Sequence, residues 1–278
     1  MDYLEHPVPA ILHRHVQCVW QLRDDAPSSR THTIYPDGRC ELIVHRGAPM
    51  RLLQEGLGWT LQARALCSGQ LRSAIRLQAS GTVDCIGVRL QPAASHAIAA
   101  LALPGLVDRI VALDSLDAVF ARQLIDACRV IEQAPAAALW PALASRLAPV
   151  GIDACVERAV AVIDAAHGDV AIAVLCRALG ISPRGLQTRF LAAVGMTCKE
   201  YARVRRLQGT LRALDAEAGP LAAVAIEAGF ADQAHATREL HRLTGLTPSR
   251  LRRSLKAERD GDATLQMAAA FVRGRSGP

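Results

Sequence analysis

The sequence predicts an α+β fold. A β-rich, barrel-like N-terminal domain with packing helices is followed by an all-α domain of two helix-turn-helix units joined by a long helix. Three observations predict it. Short runs rich in Val, Ile, Leu and Cys alternate with turn residues as far as Pro92. Beyond Pro92 the chain turns Ala- and Leu-rich. Near the end, one helical pattern occurs twice.

The candidate strands are 17–22, 31–35, 40–45, 66–70, 74–77 and 83–90. Turn signals separate them: Pro36-Asp37-Gly38, Gly47-Ala48-Pro49, Gly56-Leu57-Gly58 and Ser80-Gly81. Strands this short at this spacing suit a small barrel or sandwich. Helices are expected over 93–100, 115–133 and 136–147, and Pro149-Val150-Gly151 reads as a linker. The apolar side of the 115–147 segment is generous for a small domain, which points to a homodimer formed through residues 1–150. A second domain is expected over 151–257. Residues 258–278, rich in Ala, Gly and Arg without a strong period, are expected to be a disordered tail.

In the second domain Asp153 can cap a helix running to about residue 166, which Gly168 ends. A short helix follows over about 171–179. Ser182 caps the next, with Pro183 at the first helical position, where a missing N–H costs nothing. Thr197 with Glu200 forms a capping box for a long helix. Tyr201, Val204, Leu207, Leu211 and Leu214 recur along it as one buried stripe. Gly219-Pro220 breaks it, and Thr247-Pro248 starts a last helix to about 257.

The repeat carries the function. From Leu175 the chain reads Leu-Cys-Arg-Ala-Leu-Gly-Ile-Ser-Pro-Arg-Gly-Leu-Gln-Thr-Arg-Phe, then Gly195-Met196-Thr197. From Val224 it reads Val-Ala-Ile-Glu-Ala-Gly-Phe-Ala-Asp-Gln-Ala-His-Ala-Thr-Arg-Glu-Leu, then Gly245-Leu246-Thr247. Each copy has a small helix ending in Gly (Gly180, Gly229), an apolar residue (Ile181, Phe230), an N-cap (Ser182, Asp232) and a second helix. Two helix-turn-helix units in tandem point to DNA. In the first, Leu186, Phe190 and Val194 make the buried side, and Arg184, Gln187 and Thr188 lie opposite. In the second, Ala236, Leu240 and Leu243 are buried, and Gln233, His235, Thr237 and Arg238 face outward. Arg can bond guanine O6 and N7 together, and Gln can bond adenine N6 and N7.

Residues 153–255 resemble the DNA-binding domain of AraC/XylS-type transcriptional regulators. The resemblance rests on Leu179-Gly180-Ile181-Ser182-Pro183-Arg184, Gly195-Met196-Thr197, Arg205-Arg206-Leu207, Ala228-Gly229-Phe230, Asp232-Gln233 and Gly245-Leu246-Thr247-Pro248. It implies recognition helices in successive major grooves on one face of the DNA. It assigns base contacts to Arg184, Gln187 and Thr188 in the first unit, and to Gln233, Ala234, His235 and Arg238 in the second. Ala234 can offer only apolar contact, for example to a thymine methyl. Arg252, paired with Arg253, is expected at a phosphate. Ala236 and Leu240 stand where the family often has an aromatic and Phe, so a less tightly packed second unit is expected. Pro36-Asp37-Gly38, Gly69-Gln70 and Gly87-Val88-Arg89-Leu90-Gln91-Pro92 look like an N-terminal regulatory domain often found ahead of this reader. The family reading is a one-component regulator. Its partners are double-stranded DNA, a small-molecule effector, RNA polymerase and a second copy of the chain.

Composition is compatible with this. Residues 1–150 carry 14 Lys and Arg against 13 Asp and Glu, while residues 151–256 carry 15 against 10. The basic excess coincides with the repeat, which favours an anionic partner such as a phosphate backbone. The eight cysteines form no CxxC pair, and the chain shows no secretory leader and no long apolar run. It therefore reads as cytoplasmic, with reduced, buried thiols and no membrane contact. Neither a cofactor nor a catalytic site is expected. The rival reading is a metal- or ligand-binding cupin-like enzyme with an accessory helical domain. It draws on His13, His15, His32 and His45, with His13 and His15 sharing a strand face. It lacks an HxH set with a downstream carboxylate, a GxSxG and a phosphate loop.

Overall fold

The structure, a computed structural model, describes residues 2–27, 31–98, 103–129, 135–216 and 219–260. Ten antiparallel strands form the N-terminal part: β1 (Asp2–His6), β2 (Val16–Asp24), β3 (Thr31–Ile34), β4 (Glu41–His45), β5 (Arg51–Gln54), β6 (Gly58–Leu61), β7 (Ala65–Ser68), β8 (Ile75–Gln78), β9 (Val83–Leu90) and β10 (Ile110–Ala112). They build two open sheets, ordered β1-β2-β9-β4-β7-β10 and β3-β8-β5-β6, and not one closed barrel. All six predicted strands are present. β1, the β5–β6 hairpin and β10 are additional: β1 and the hairpin carry many polar or exposed residues, and β10 is only three residues long.

The central strands are apolar on both faces because each face meets a different layer. On β2, Val16 and Val19 point to the helices, whereas Cys18, Trp20 and Leu22 face the second sheet. On β9, Ile86, Val88 and Leu90 take the helical side, and Val83 and Cys85 the other. Gly87 lies opposite Trp20 in the ladder, and a Cβ there would sit 2.0 Å from the indole. Only glycine permits that crossing. Two helices, α1 (Ala118–Arg129) and α2 (Pro135–Leu147), cover the six-stranded sheet through Phe120, Leu124, Leu139, Leu143 and Leu147. The apolar side expected at a dimer interface is thus largely spent within the chain. In place of the helix expected over 93–100 there is a tight 3-10 turn, Pro92–Ala97. Residues 99 and 100, like 130–133 of the longer expected helix, lie outside the described residues.

The second part is all helix: α3 (Ala154–Ala165), α4 (Ile172–Leu179), α5 (Pro183–Val194), α6 (Cys198–Asp215), α7 (Leu221–Glu227), α8 (Gln233–Thr244) and α9 (Pro248–Asp260). The caps are those the sequence predicts. Asp153 accepts from the Cys155 and Val156 amides, Ser182 from Gly185, and Asp232 from His235. Thr197 and Glu200 close the capping box on α6. Such a cap is worth about 1 kcal/mol. The apolar stripe of α6 is buried throughout. The last helix runs to Asp260, three residues beyond its expected end, so the expected tail begins later than residue 258; residues 261–278 lie outside the described residues.

Candidate nucleic-acid interface

The two units repeat one geometry. α4 and α5 form the first, α7 and α8 the second, and α6 connects them. α5 is held by Leu186, Phe190 and Val194, all fully buried, and α8 by Ala236, Leu240 and Leu243. Ala236 and Leu240 are buried despite their small size for these positions.

Arg184, Gln187 and Thr188 are exposed near the N-terminus of α5. Gln233, Ala234 and Arg238 are exposed at the start of α8. His235 is half-buried. Its ring stands edge-on to Phe230, with centroids 5.6 Å apart, and its Nδ1 accepts the Ala231 amide at 3.3 Å. That contact fixes the tautomer, so Nε2 carries the proton. Thr237 turns its hydroxyl back to the Gln233 carbonyl at 2.8 Å. Arg252 is half-buried, and its Nη2 donates to the Gly219 carbonyl at 2.7 Å; Arg253 beside it is exposed. Arg252 therefore ties α9 to the turn that opens the second unit.

Several residues that orient the readers are not evident from periodicity. Arg189, on the exposed side of α5, forms a two-pronged pair with Asp153, the cap of α3, at 2.6 and 2.7 Å. Arg203 of α6 pairs with Glu239 of α8 at 2.9 Å. Arg206 of α6 links the second unit to the turn that follows α3. Its guanidinium lies 5.6 Å from the Phe230 ring centroid and donates to the Gly168 carbonyl at 3.1 Å. The clue in the sequence is the density of Arg on α6, a helix whose charged residues find partners on α3, the turn after it and the second unit.

The β-rich part is joined to this reader along one seam. The turn at 36–39 lies on α6: Gln208 Nε2 donates to the Pro36 carbonyl at 2.6 Å, and Arg205 Nη1 to the Asp37 carbonyl at 3.0 Å. Gly38 has φ +80, and a Cβ there would meet the Tyr201 ring at 2.8 Å. Arg39, Arg205 and the Tyr201 hydroxyl converge on Asp164. Arg72 reaches Glu200 at 3.2 Å, and the Ala74 amide donates to the Leu243 carbonyl at 2.7 Å. Tyr35 belongs to the apolar cluster of the second unit, with Leu207, Leu211, Leu240 and Leu243. Ala93 belongs to that of the first, with Leu186 and Phe190.

Between the two sheets lies a mainly apolar cavity lined by Trp20, Tyr35, Glu41, His45, Met50 and Leu77, among others. Glu41 accepts from Trp20 Nε1 at 3.1 Å and Arg89 Nε at 2.8 Å. Burial works against the Arg89 charge, but the Glu41 and Asp37 carboxylates outweigh it and hold the guanidinium protonated. Burial pushes His45 down to about 4, so its ring is neutral at physiological pH.

The expected shared strand face of His13 and His15 does not exist. Both lie in the turns between Pro9 and β2, and each ring contacts a separate backbone carbonyl, Val8 for His13 and Val150 for His15. Pro9, which cannot donate to a sheet, opens a 3-10 turn there in place of a strand. Among the described residues no three His, Cys, Asp or Glu side chains converge as a metal site. Seven of the eight cysteines are buried and the eighth is half-buried; all are free thiols. Among the described residues no helix is long and apolar enough to cross a membrane.

Residues 175–254 match a helix-turn-helix domain, and residues 4–112 match a domain of unknown function, DUF6597. Among solved structures, the chain is similar to the C-terminal domain of AraT, a response regulator from Geobacillus stearothermophilus. The identity is 19%, over 37% of this chain and 86% of that one, with a TM-score of 0.35. It is also similar to ToxT from Vibrio cholerae O395, at 10% identity over 85% of this chain and 96% of that one, with a TM-score of 0.45. ToxT bound to an unsaturated fatty acid gives 11%, over 84% and 93%, with a TM-score of 0.41. No curated protein matches. The tandem units therefore define a DNA-binding helix-turn-helix protein. More particularly, the chain carries a helix-turn-helix domain at residues 175–254 behind a DUF6597 domain at residues 4–112.

Proposed function

We propose that this chain is an AraC-type transcription regulator that reads two successive major grooves on one face of the duplex, α5 in one and α8 in the next. The observation that carries the reading is the shared polarity of the two helices. The N-terminal halves of α5 and α8 present Arg184, Gln187, Gln233 and Arg238 to solvent, while their other ends are anchored by Val194 and Leu243. Grooves on one face repeat every ~34 Å, so the half-sites lie about 10 base pairs apart. Arg184, Gln187 and Thr188 read one half. Gln233, Ala234, His235 and Arg238 read the other, with Ala234 against a thymine methyl. Arg252 keeps donors beyond the one given to Gly219 and meets a phosphate at the edge of the second half.

In this reading residues 1–150 are the regulatory domain, residues 151–257 the reader, and the inter-sheet cavity receives a small effector. RNA polymerase and a second copy of the chain are its further partners. Footprinting of the full chain on operators with ~5 base pairs inserted between the halves tests the two-groove geometry, because the second groove then faces away. Binding should be lost on insertion; unchanged affinity would overturn the reading.

A further inference from the structure

Tyr35 is 2% exposed, yet it lies in the β-rich part of the chain, one residue past β3. It belongs to one buried apolar cluster with Leu207 and Leu211 of α6 and Leu240 and Leu243 of α8. The second unit thus shares its core with a residue about 190–210 positions earlier in the chain. The neighbouring backbone is fastened to the same helix by Gln208 and Arg205, and Gly38 brings it into contact with Tyr201. A further tie, from the Ala74 amide to the Leu243 carbonyl, secures the C-terminal end of α8. The reading residues Gln233, Ala234 and Arg238 are at the opposite end of that helix and remain exposed. The docking therefore leaves the DNA face open and acts on the helix that bears it.

The second unit also has less of its own to hold it. Where α5 buries Phe190, α8 buries Leu240 at the matching place, and Ala236 adds a single methyl to a small separate cluster with Ala225 and Phe230. The large aromatic face of Tyr35 makes up part of that deficit, since a buried aromatic ring removes about 150–250 Å² from water.

We propose that Tyr35, fastened by the Gln208–Pro36 hydrogen bond, is the positioning residue of the second recognition helix. It sets where α8 stands relative to α5 and so which half-site spacing the protein accepts. The proposal rests on the two-groove reading for its DNA consequence, but its physical content can be measured without DNA.

The experiment uses the full chain and the variants Tyr35→Ala, Tyr35→Phe and Gln208→Ala. Hydrogen exchange without DNA is read first. Tyr35→Ala and Gln208→Ala should each speed exchange of α8 amides roughly tenfold or more while leaving α5 unchanged, because local openings follow local contacts. Footprinting is read second. Tyr35→Ala should raise the concentration needed to protect the second half-site about 5–30-fold, with the first half-site unaffected. It should also narrow the penalty of the inserted operator. Tyr35→Phe should restore both measures, which a merely global loss of stability would not predict for one half alone. If Tyr35→Ala fails to fold, Gln208→Ala carries both measurements. Equal exchange in α5 and α8, or equal loss at both halves, would overturn the proposal. A wild-type protein indifferent to the insertion would overturn the two-groove reading instead, leaving the exchange result to decide the role of Tyr35.

Discussion

Gln208 donates from its buried Nε2 to the carbonyl oxygen of Pro36, 2.6 Å away. The donor sits on α6, which connects the two helix-turn-helix units, and the acceptor on a turn of the β-rich part. Neither group has access to water, so each depends on the other. Gln208→Ala should cost about 1–3 kcal/mol, the penalty of leaving a buried polar group unsatisfied. Urea unfolding measures it, and a change under ~0.3 kcal/mol would show the contact to be incidental.

Arg184→Ala and Arg238→Ala should each weaken specific binding by about 1–3 kcal/mol and relax base preference only in its own half of the operator. Selection of bound sites from random duplexes with each variant reads this directly. Equal relaxation across both halves would contradict the assignment of one helix to each half.

Much of the reader was legible in the sequence because its determinants are local. Ser182, Thr197 with Glu200, and Asp232 each cap the helix they precede, and the α6 stripe is a matter of spacing alone. The β-rich part was legible where strands are sandwiched and therefore continuously apolar, as in β2 and β9. It was not legible at β1 or at the β5–β6 hairpin, whose strands carry many polar or exposed residues. The placement of Arg189 on Asp153, of Arg206 on Phe230 and of Tyr35 within the second unit depends on contacts between distant segments. No periodicity encodes those. Of the residues assigned to base contact, most are exposed as expected, but the Nδ1 tie of His235 and the Gly219 tie of Arg252 needed the turns to be in place.

His45 should make the protein acid-sensitive. Burial lowers its folded-state value from 6.5 to about 4, so between those values the unfolded chain holds a proton that the folded chain does not. The stability is complete above pH ~6.5 and is lost as the pH falls toward 4, by about 3 kcal/mol for the full displacement. His6 and His32, also lowered by burial, add in the same direction. Unfolding free energies at pH 7 and pH 5 measure the slope. His45→Leu, which takes up no proton, should flatten it; an unchanged slope would move the effect elsewhere.

Cys198, beside Lys199 at the start of α6, has the sequence context of an activated thiol. Instead burial pushes it up to about 12, which leaves it protonated and unreactive. Cys198→Ser should keep DNA affinity within about a few fold under reducing conditions. If mild peroxide abolished binding and this substitution prevented the loss, a redox role would replace the structural one.

The position of Tyr35 bears on what can be exchanged between proteins of this design. A chimera joined at the 149–151 linker would keep every residue of the reader's own helices yet leave a hole where an aromatic ring belongs, and the same cut removes Ala93 from beneath α5. The transplantable unit is discontinuous: the helices together with the 35–39 turn and the Pro92–Ala97 turn. A graft of the helical part onto a foreign partner will keep its packing only if that partner supplies those two surfaces.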